Sequence, residues 1–200
     1  MSYSDFSIEA LKRDFDLTLV EDKPIFPVAP TAEVPESLSR LLERYVPLAL
    51  NINTEKARSE FIIAPVLAEF KFLHRDKISL FSGVEFNVDE QRGLKGRCDY
   101  IISKNPEQLV ISAPICVLVE AKNENITGGI PQCLAEMIAA REFNQAKGNL
   151  IPAVFGAVTT GSLWRFLKLA DGEAFVDIAE YPIQNLDQIL GILQTIAIAE

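Results

Sequence analysis

The sequence predicts a single α/β domain in which a mixed central β-sheet is flanked by α-helices. Three observations carry that expectation. Apolar runs of strand length occupy residues 78–88, 94–103, 115–121, 153–159 and 163–169. Longer stretches with helical spacing stand between and around them, at residues 36–46, 54–73, 131–147 and 186–199. The run Ile115–Ala121 is almost continuously apolar up to Val119, as expected of a central strand covered on both faces. With 200 residues, 48% hydrophobic and 24% charged, the chain has the balance of one soluble globular core. Residues 36–200 form the expected domain, and residues 1–35 an arm packed on it.

In chain order, Ser7 is placed to cap a short helix containing Ile8, Leu11 and Phe15. Leu17 to Val20 reads as a short strand. Pro24, Pro27, Pro30 and Pro35 make the next stretch a stiff, extended connector. A helix begins at Pro35-Glu36, places Leu38, Leu41, Leu42 and Tyr45 on one side, and is expected to end at Pro47. Asn53 or Thr54 then caps a longer helix to about Leu73, with Ala57, Phe61, Ala64, Leu67 and Ala68 inward and Pro65 bending it or displacing its start. His74, the only histidine, falls in a turn, so no site built on several histidines is available.

The polar segment Asp89 to Gly93 joins the next two strands as a hairpin. Asn105-Pro106 marks a turn, and Leu109 to Ile111 is either a short strand or an excursion before Pro114. After Lys122 a loop runs to Gly129, and Pro131 suits the first turn of a helix to about Lys147. Gly128-Gly129 lacks a following G-K-[ST] and is no P-loop. Two further strands meet at Thr160-Gly161-Ser162. The second carries Trp164 and Phe166, which either border a groove or cover the sheet, with Arg165 and Lys168 as weak phosphate contacts. A last strand spans residues 174–179. The helix at 186–199 is apolar over much of its circumference, so it either packs deeply or contributes to a homodimer.

No apolar run reaches the ~18 residues that span a bilayer, and the first residues lack the basic-then-apolar pattern of a signal peptide. Cys98, Cys116 and Cys133 have no metal-type spacing and read as reduced core residues of a cytoplasmic protein. The net charge of −9 argues against tight, nonspecific binding to long duplexes.

The chemistry concentrates between Gly96 and Gln132. Glu120 and Lys122, two residues apart on one strand, project to one face, which Leu118 and Cys116 share and mark as buried. Charges there are costly unless paired, hydrogen-bonded or on a metal. Asp99 interrupts another apolar run in the same way, so the economical expectation is two neighbouring strands whose charges converge. Paired carboxylates are hard ligands for Mg²⁺, and an adjacent lysine can stabilise charge developing on a phosphate.

Asp99 followed by Glu120-Ala121-Lys122 resembles the signature of the PD-(D/E)XK phosphodiesterase superfamily, the restriction-endonuclease-like fold. Gly96-Arg97-Cys98-Asp99 is similar to the GxxD form of RecB-type nucleases, and Gln132 falls where that branch has a helix glutamine. The resemblance covers roughly residues 54–170, judged by element order. It departs at Cys98, which replaces the proline, and at Glu136, which stands in place of a tyrosine. It implies Asp99 and Glu120 as metal ligands, Lys122 as the catalytic lysine and Gln132 as support. Glu60, near the apolar face of its helix, is the best match to a further glutamate that often joins the metal. Pairing of Glu60 with Lys56 is the alternative.

The function so implied is a Mg²⁺-dependent nuclease, with Mn²⁺ as a substitute metal and nucleic acid, foremost DNA, as partner. One alternative is a nuclease-fold protein that binds nucleic acid or a protein without cutting. A third reading is an interaction protein whose charged strand residues form only a buried ion pair.

Overall fold

A computed structural model describes residues 1–198. Its centre is one mixed sheet of eight strands: β1 (Thr18–Val20), β2 (Ser79–Glu85), β3 (Arg97–Ser103), β4 (Ile115–Ala121), β5 (Val154–Thr159), β6 (Leu163–Ala170), β7 (Glu173–Val176) and β8 (Tyr181–Pro182). The spatial order is β1-β7-β6-β5-β4-β3-β2, with β8 also paired to β6. β4 runs parallel to β5, and β1 parallel to β7; the remaining pairs are antiparallel. The fold is therefore the mixed α/β architecture that the strand and helix periods predict.

The helices are α1 (Ile8–Phe15), α2 (Glu36–Ile52), α3 (Glu55–Arg58), α4 (Ala64–Leu73), α5 (Ile126–Ala146) and α6 (Leu186–Ala197). One buried cluster joins the sheet to α2, α4 and α6, and the other joins its opposite face to α5 and α1. Every residue of β4 is buried, because both layers meet on it.

Residues 1–35 are built into this core. β1 adds an edge strand beside β7, and the buried Tyr3 donates to the carbonyl of Phe86 at 2.6 Å. In the proline-rich connector, Phe26 stacks on Phe155 with ring centroids 6.5 Å apart. The backbone at Pro30 passes so close to Gly191 that a Cβ there would collide with its carbonyl group.

Several local expectations change. Pro47 does not end α2, which continues to Ile52 and closes on Asn53 in the left-handed conformation. Burial of Ala49 beyond the proline anchors the final turns against the loss of one backbone bond. Thr54 caps the next helix, accepting from the N–H of Ala57 at 3.1 Å. Ahead of Pro65 the helix widens into a π turn at Ser59–Ile63. The extra residue in that turn rotates the inward face. Ala68 is therefore exposed, while Ile62, Ile63, Val66, Leu67 and Phe70 are buried.

Helix α5 starts at Ile126, well before Pro131, because Asn125 accepts from the N–H of Gly128 at 2.9 Å and caps it. Gln132 consequently lies in the second turn. Cys116 belongs to the core cluster opposite the one holding Leu118, since the β3–β4 register shifts between Ile102 and Ser103 and the extra residue breaks the alternation. The apolar residues of α6 are buried against this chain's own core, which removes the reason for a dimer through that helix. Its expected last residue, Ala199, lies outside the described residues.

Candidate functional site

The site is assembled where β3, β4 and α5 meet. The β3–β4 register pairs Tyr100 with Val119 and Ile101 with Leu118; continued by one step, it sets Asp99 opposite Glu120. One oxygen of Asp99, Oδ2, accepts from the backbone N–H of Ala121 at 2.8 Å. Glu120 is 2% exposed, and its Oε1 accepts from Lys122 Nζ at 2.5 Å. The same ammonium donates to Gln132 Oε1 at 3.2 Å. Gln132 Nε2 in turn donates to Glu136 Oε1 at 3.3 Å. Asp99, Glu120, Lys122 and Gln132 thus stand together as the sequence led us to expect.

The path of the lysine stem depends on a glycine. A Cβ on Gly129 would lie 2.7 Å from Val158 Cγ1 and 3.0 Å from Lys122 Cγ. The bare backbone of α5 lets Lys122 cross the start of the helix towards Gln132. The lysine's own N–H donates to the carbonyl of Thr159 at 2.8 Å, extending the β4–β5 ladder by one step.

The charges of Glu120, Glu55 and Asp99 act on the one ammonium of Lys122, and Glu136 adjoins Glu120; their proton affinities follow. Burial, then the charge of Asp99, pushes Glu120 up to about 7 against the opposing pull of Lys122. Burial also raises Asp99, partly offset by the N–H of Ala121 and by Lys122. Glu136 is fully buried and raised well above the ordinary carboxylate range by burial, with the charge of Glu120 adding to it. For Lys122, burial works against the charge, but its bond to Glu120 and the charges of Glu120, Glu55 and Asp99 outweigh it and leave the ammonium favoured. The ammonium of Lys122 is favoured while the proton affinities of Glu120, Asp99 and Glu136 are all raised, so one cation does not offset the burial and mutual repulsion of the carboxyl groups.

Two buried oxygens of the site, Glu120 Oε2 and Glu136 Oε2, have no hydrogen-bond donor. An unsatisfied acceptor of this kind costs ~1–3 kcal/mol. A divalent cation between Asp99 and Glu120 would occupy the free oxygen and relieve the repulsion, so the pair fits a hard metal ion. Among the described residues, no group of three or more His, Cys, Asp or Glu side chains is arranged to hold a metal. The protein's share would be the pair alone, leaving further positions to water and substrate oxygens, as Mg²⁺ usually does.

Glu60 is placed differently. Its side chain is 52% exposed and pairs with Lys56, one turn back on the helix, at 2.7 Å. Its partner is therefore that lysine and not the Asp99–Glu120 pair. Trp164 and Phe166 are completely buried and cover the sheet. Arg165 donates to the carbonyl of Asp177 at 2.8 Å, and Lys168 lies over the Phe175 ring.

Two contributors were not singled out by sequence reasoning. Glu136 was named as a departure from a motif and on the helix side of Gln132, without a role at the site; its spacing of four from Gln132 was the available signal. Arg58, 8% exposed, donates to Asn123 Oδ1 at 3.2 Å, the Thr160 carbonyl at 3.0 Å and Asn53 Oδ1 at 3.0 Å. It clamps the segment after Lys122 to α3 and to the β5–β6 turn. Nothing in the local sequence distinguishes it from a surface arginine. No family model matches the chain, and a search of curated proteins finds no significant match.

Proposed function

We propose that this chain is a metal-dependent phosphodiesterase that hydrolyses nucleic acid, with DNA as the leading substrate and a restriction-endonuclease-like core as its scaffold. The observation that carries the reading is the convergence of Asp99, Glu120 and Lys122, with a buried Glu120 oxygen left without a partner. Asp99 and Glu120 would hold Mg²⁺, or Mn²⁺ in its place. When bound, such an ion supplies Lewis-acid polarisation of a phosphoryl oxygen and a more acidic water. Lys122 places a fixed positive charge beside the phosphate, where it stabilises charge that develops during cleavage. Gln132 holds that ammonium in position through its carbonyl oxygen.

The charge balance shapes the substrate. The net charge is −9, and the cations nearest the site, Lys122 and Arg58, already bond to protein groups. Affinity for a polyanion would then rest on the metal more than on a basic surface. A short or single-stranded segment suits such a site better than a long duplex.

A second reading has its own observation. Lys122 is engaged by both Glu120 and Gln132, as it would be if it served only to neutralise a buried carboxylate in a non-cutting binding module. Incubation of the wild type with single- and double-stranded DNA and RNA, with Mg²⁺ or Mn²⁺, separates the two. Metal-dependent cleavage that disappears in Glu120→Gln supports the enzyme. Substrate binding with no cleavage in any arm supports the binding module.

A further inference from the structure

We propose that Glu136 is a positioning residue that sets the orientation of the Gln132 amide and thereby the place of Lys122. This inference rests on the phosphodiesterase reading for its kinetic consequence but not for its geometry.

The chain of bonds is Glu120 Oε1, Lys122 Nζ, Gln132 Oε1, then Gln132 Nε2 and Glu136 Oε1. An ammonium only donates, so Gln132 can hold Lys122 only with its carbonyl oxygen. That places its NH₂ on the far side, where it needs an acceptor. Glu136, one turn further along α5, supplies one. Were the amide turned over, its NH₂ would face the ammonium and its oxygen would face the carboxyl. An acceptor at 136 therefore selects one of two otherwise similar amide orientations.

The location of Glu136 supports this role. Its exposure is 0%, in a helix segment otherwise built from Cys133, Leu134, Ala135, Met137, Ile138, Ala139 and Ala140, all buried. A carboxyl group placed there without water is costly, and its second oxygen has no partner. Packing alone would be better served by leucine or methionine. The polar function that offsets this cost is the bond to Gln132. Glu136 makes no bond to Lys122; beside Gln132 it faces the Glu120 carboxyl, and it reaches the ammonium through the Gln132 amide.

The test uses two variants and two readouts on the full chain. Glu136→Gln keeps an acceptor and removes the ionisable carboxyl; Glu136→Leu removes the acceptor. Hydrogen exchange of the Gln132 side-chain NH₂, followed by NMR, reports the orientation directly and needs no catalysis. It should accelerate ~10-fold in Glu136→Leu and stay near wild type in Glu136→Gln. Metal-dependent cleavage should lose ~10-fold in kcat in Glu136→Leu with KM little changed, and should be largely rescued in Glu136→Gln.

Unchanged exchange in a folded Glu136→Leu overturns the proposal, as does a Glu136→Gln variant that falls as far as the leucine variant. If Glu136→Leu does not fold, Gln132→Met decides. With no amide to orient, adding Glu136→Gln should change kcat by less than about twofold, and a larger change overturns the proposal. A wild type that cuts nothing would defeat the nuclease reading while the exchange readout still decides the role of Glu136; there, Glu136→Gln exchanging as fast as wild type supports it and exchanging ~10-fold faster overturns it.

Discussion

The Asp99 carboxylate accepts a 2.8 Å hydrogen bond from the backbone N–H of Ala121, the residue between Glu120 and Lys122. This bond ties the acid of β3 to the end of β4 at the point where the two charged side chains diverge from the strand. This geometry makes the three residues one unit.

Lys122→Ala should separate catalyst from relic. Loss of the ammonium leaves Glu120 Oε1 without its donor as well as Oε2, yet burial and the charge of Asp99 already push this carboxyl up to about 7, so it can take up a proton in place of stranding a charge. The expected cost is therefore ~1–3 kcal/mol, that of unmade buried hydrogen bonds, below the ~3–5 kcal/mol of a broken buried ion pair. Cleavage should fall by ~10²-fold or more. Thermal melts and cleavage on the same preparation check both numbers, and a wild type without cleavage paired with a badly destabilised variant would sink the enzyme assignment.

Stability should fall as pH rises from about 4.5 to about 7 in the absence of divalent metal. Glu120 ordinarily titrates at 4.5 and is raised to about 7 in the fold, so the folded state holds the proton over a range where the unfolded chain has released it. Its contribution is fully present below the ordinary value and is lost as pH rises through the folded one. Asp99 and Glu136 are raised as well and act in the same sense. Melting temperatures across this window should decline in the wild type and decline less in Glu120→Gln. Equal slopes in the two proteins would contradict the assignment.

Mg²⁺ or Mn²⁺ should raise the melting temperature, and more strongly at pH 8 than at pH 6 on the order of these values, because the ligands must be deprotonated. At a metal concentration a hundred times Kd the gain is about 2.7 kcal/mol. Glu120→Gln and Asp99→Asn should each abolish the response. A metal-induced shift that survives in Glu120→Gln would locate the ion elsewhere.

Gly129→Ala should damage the site through Lys122. The added methyl group would meet Val158 and the lysine stem, so either the helix or the ammonium must move. Overpacking of this kind costs ~1–3 kcal/mol, and displacing the lysine should lower cleavage by ~10-fold or more. Gly128→Ala is the control: its methyl would meet the Asn125 side chain and cost about 1 kcal/mol of capping while sparing Lys122. Equal cleavage by the two variants, at matched folded fractions, would show that the glycine does not position the lysine.

Much of this arrangement was legible before any coordinates. Period-two and period-3.6 patterns gave the strands and helices, and thus the α/β class, because backbone geometry dictates which side chains share a face. The charges of Asp99, Glu120 and Lys122 inside apolar runs marked the site, because an unpaired charge in such a place is too costly to be incidental. The positions where local rules misled are those where packing outweighed them. Pro47 sits inside α2 because Ala49 beyond it is buried, and α5 begins at Ile126 because Asn125 caps a glycine-containing turn laid against Lys122. Glu60 lies on the surface with Lys56, since the π turn before Pro65 resets the helix face. Long-range partnership was beyond the sequence altogether. That Arg58 would meet the segment after Lys122 and the β5–β6 turn depends on how helices seat on the sheet, and it is set by contacts between residues far apart in the chain.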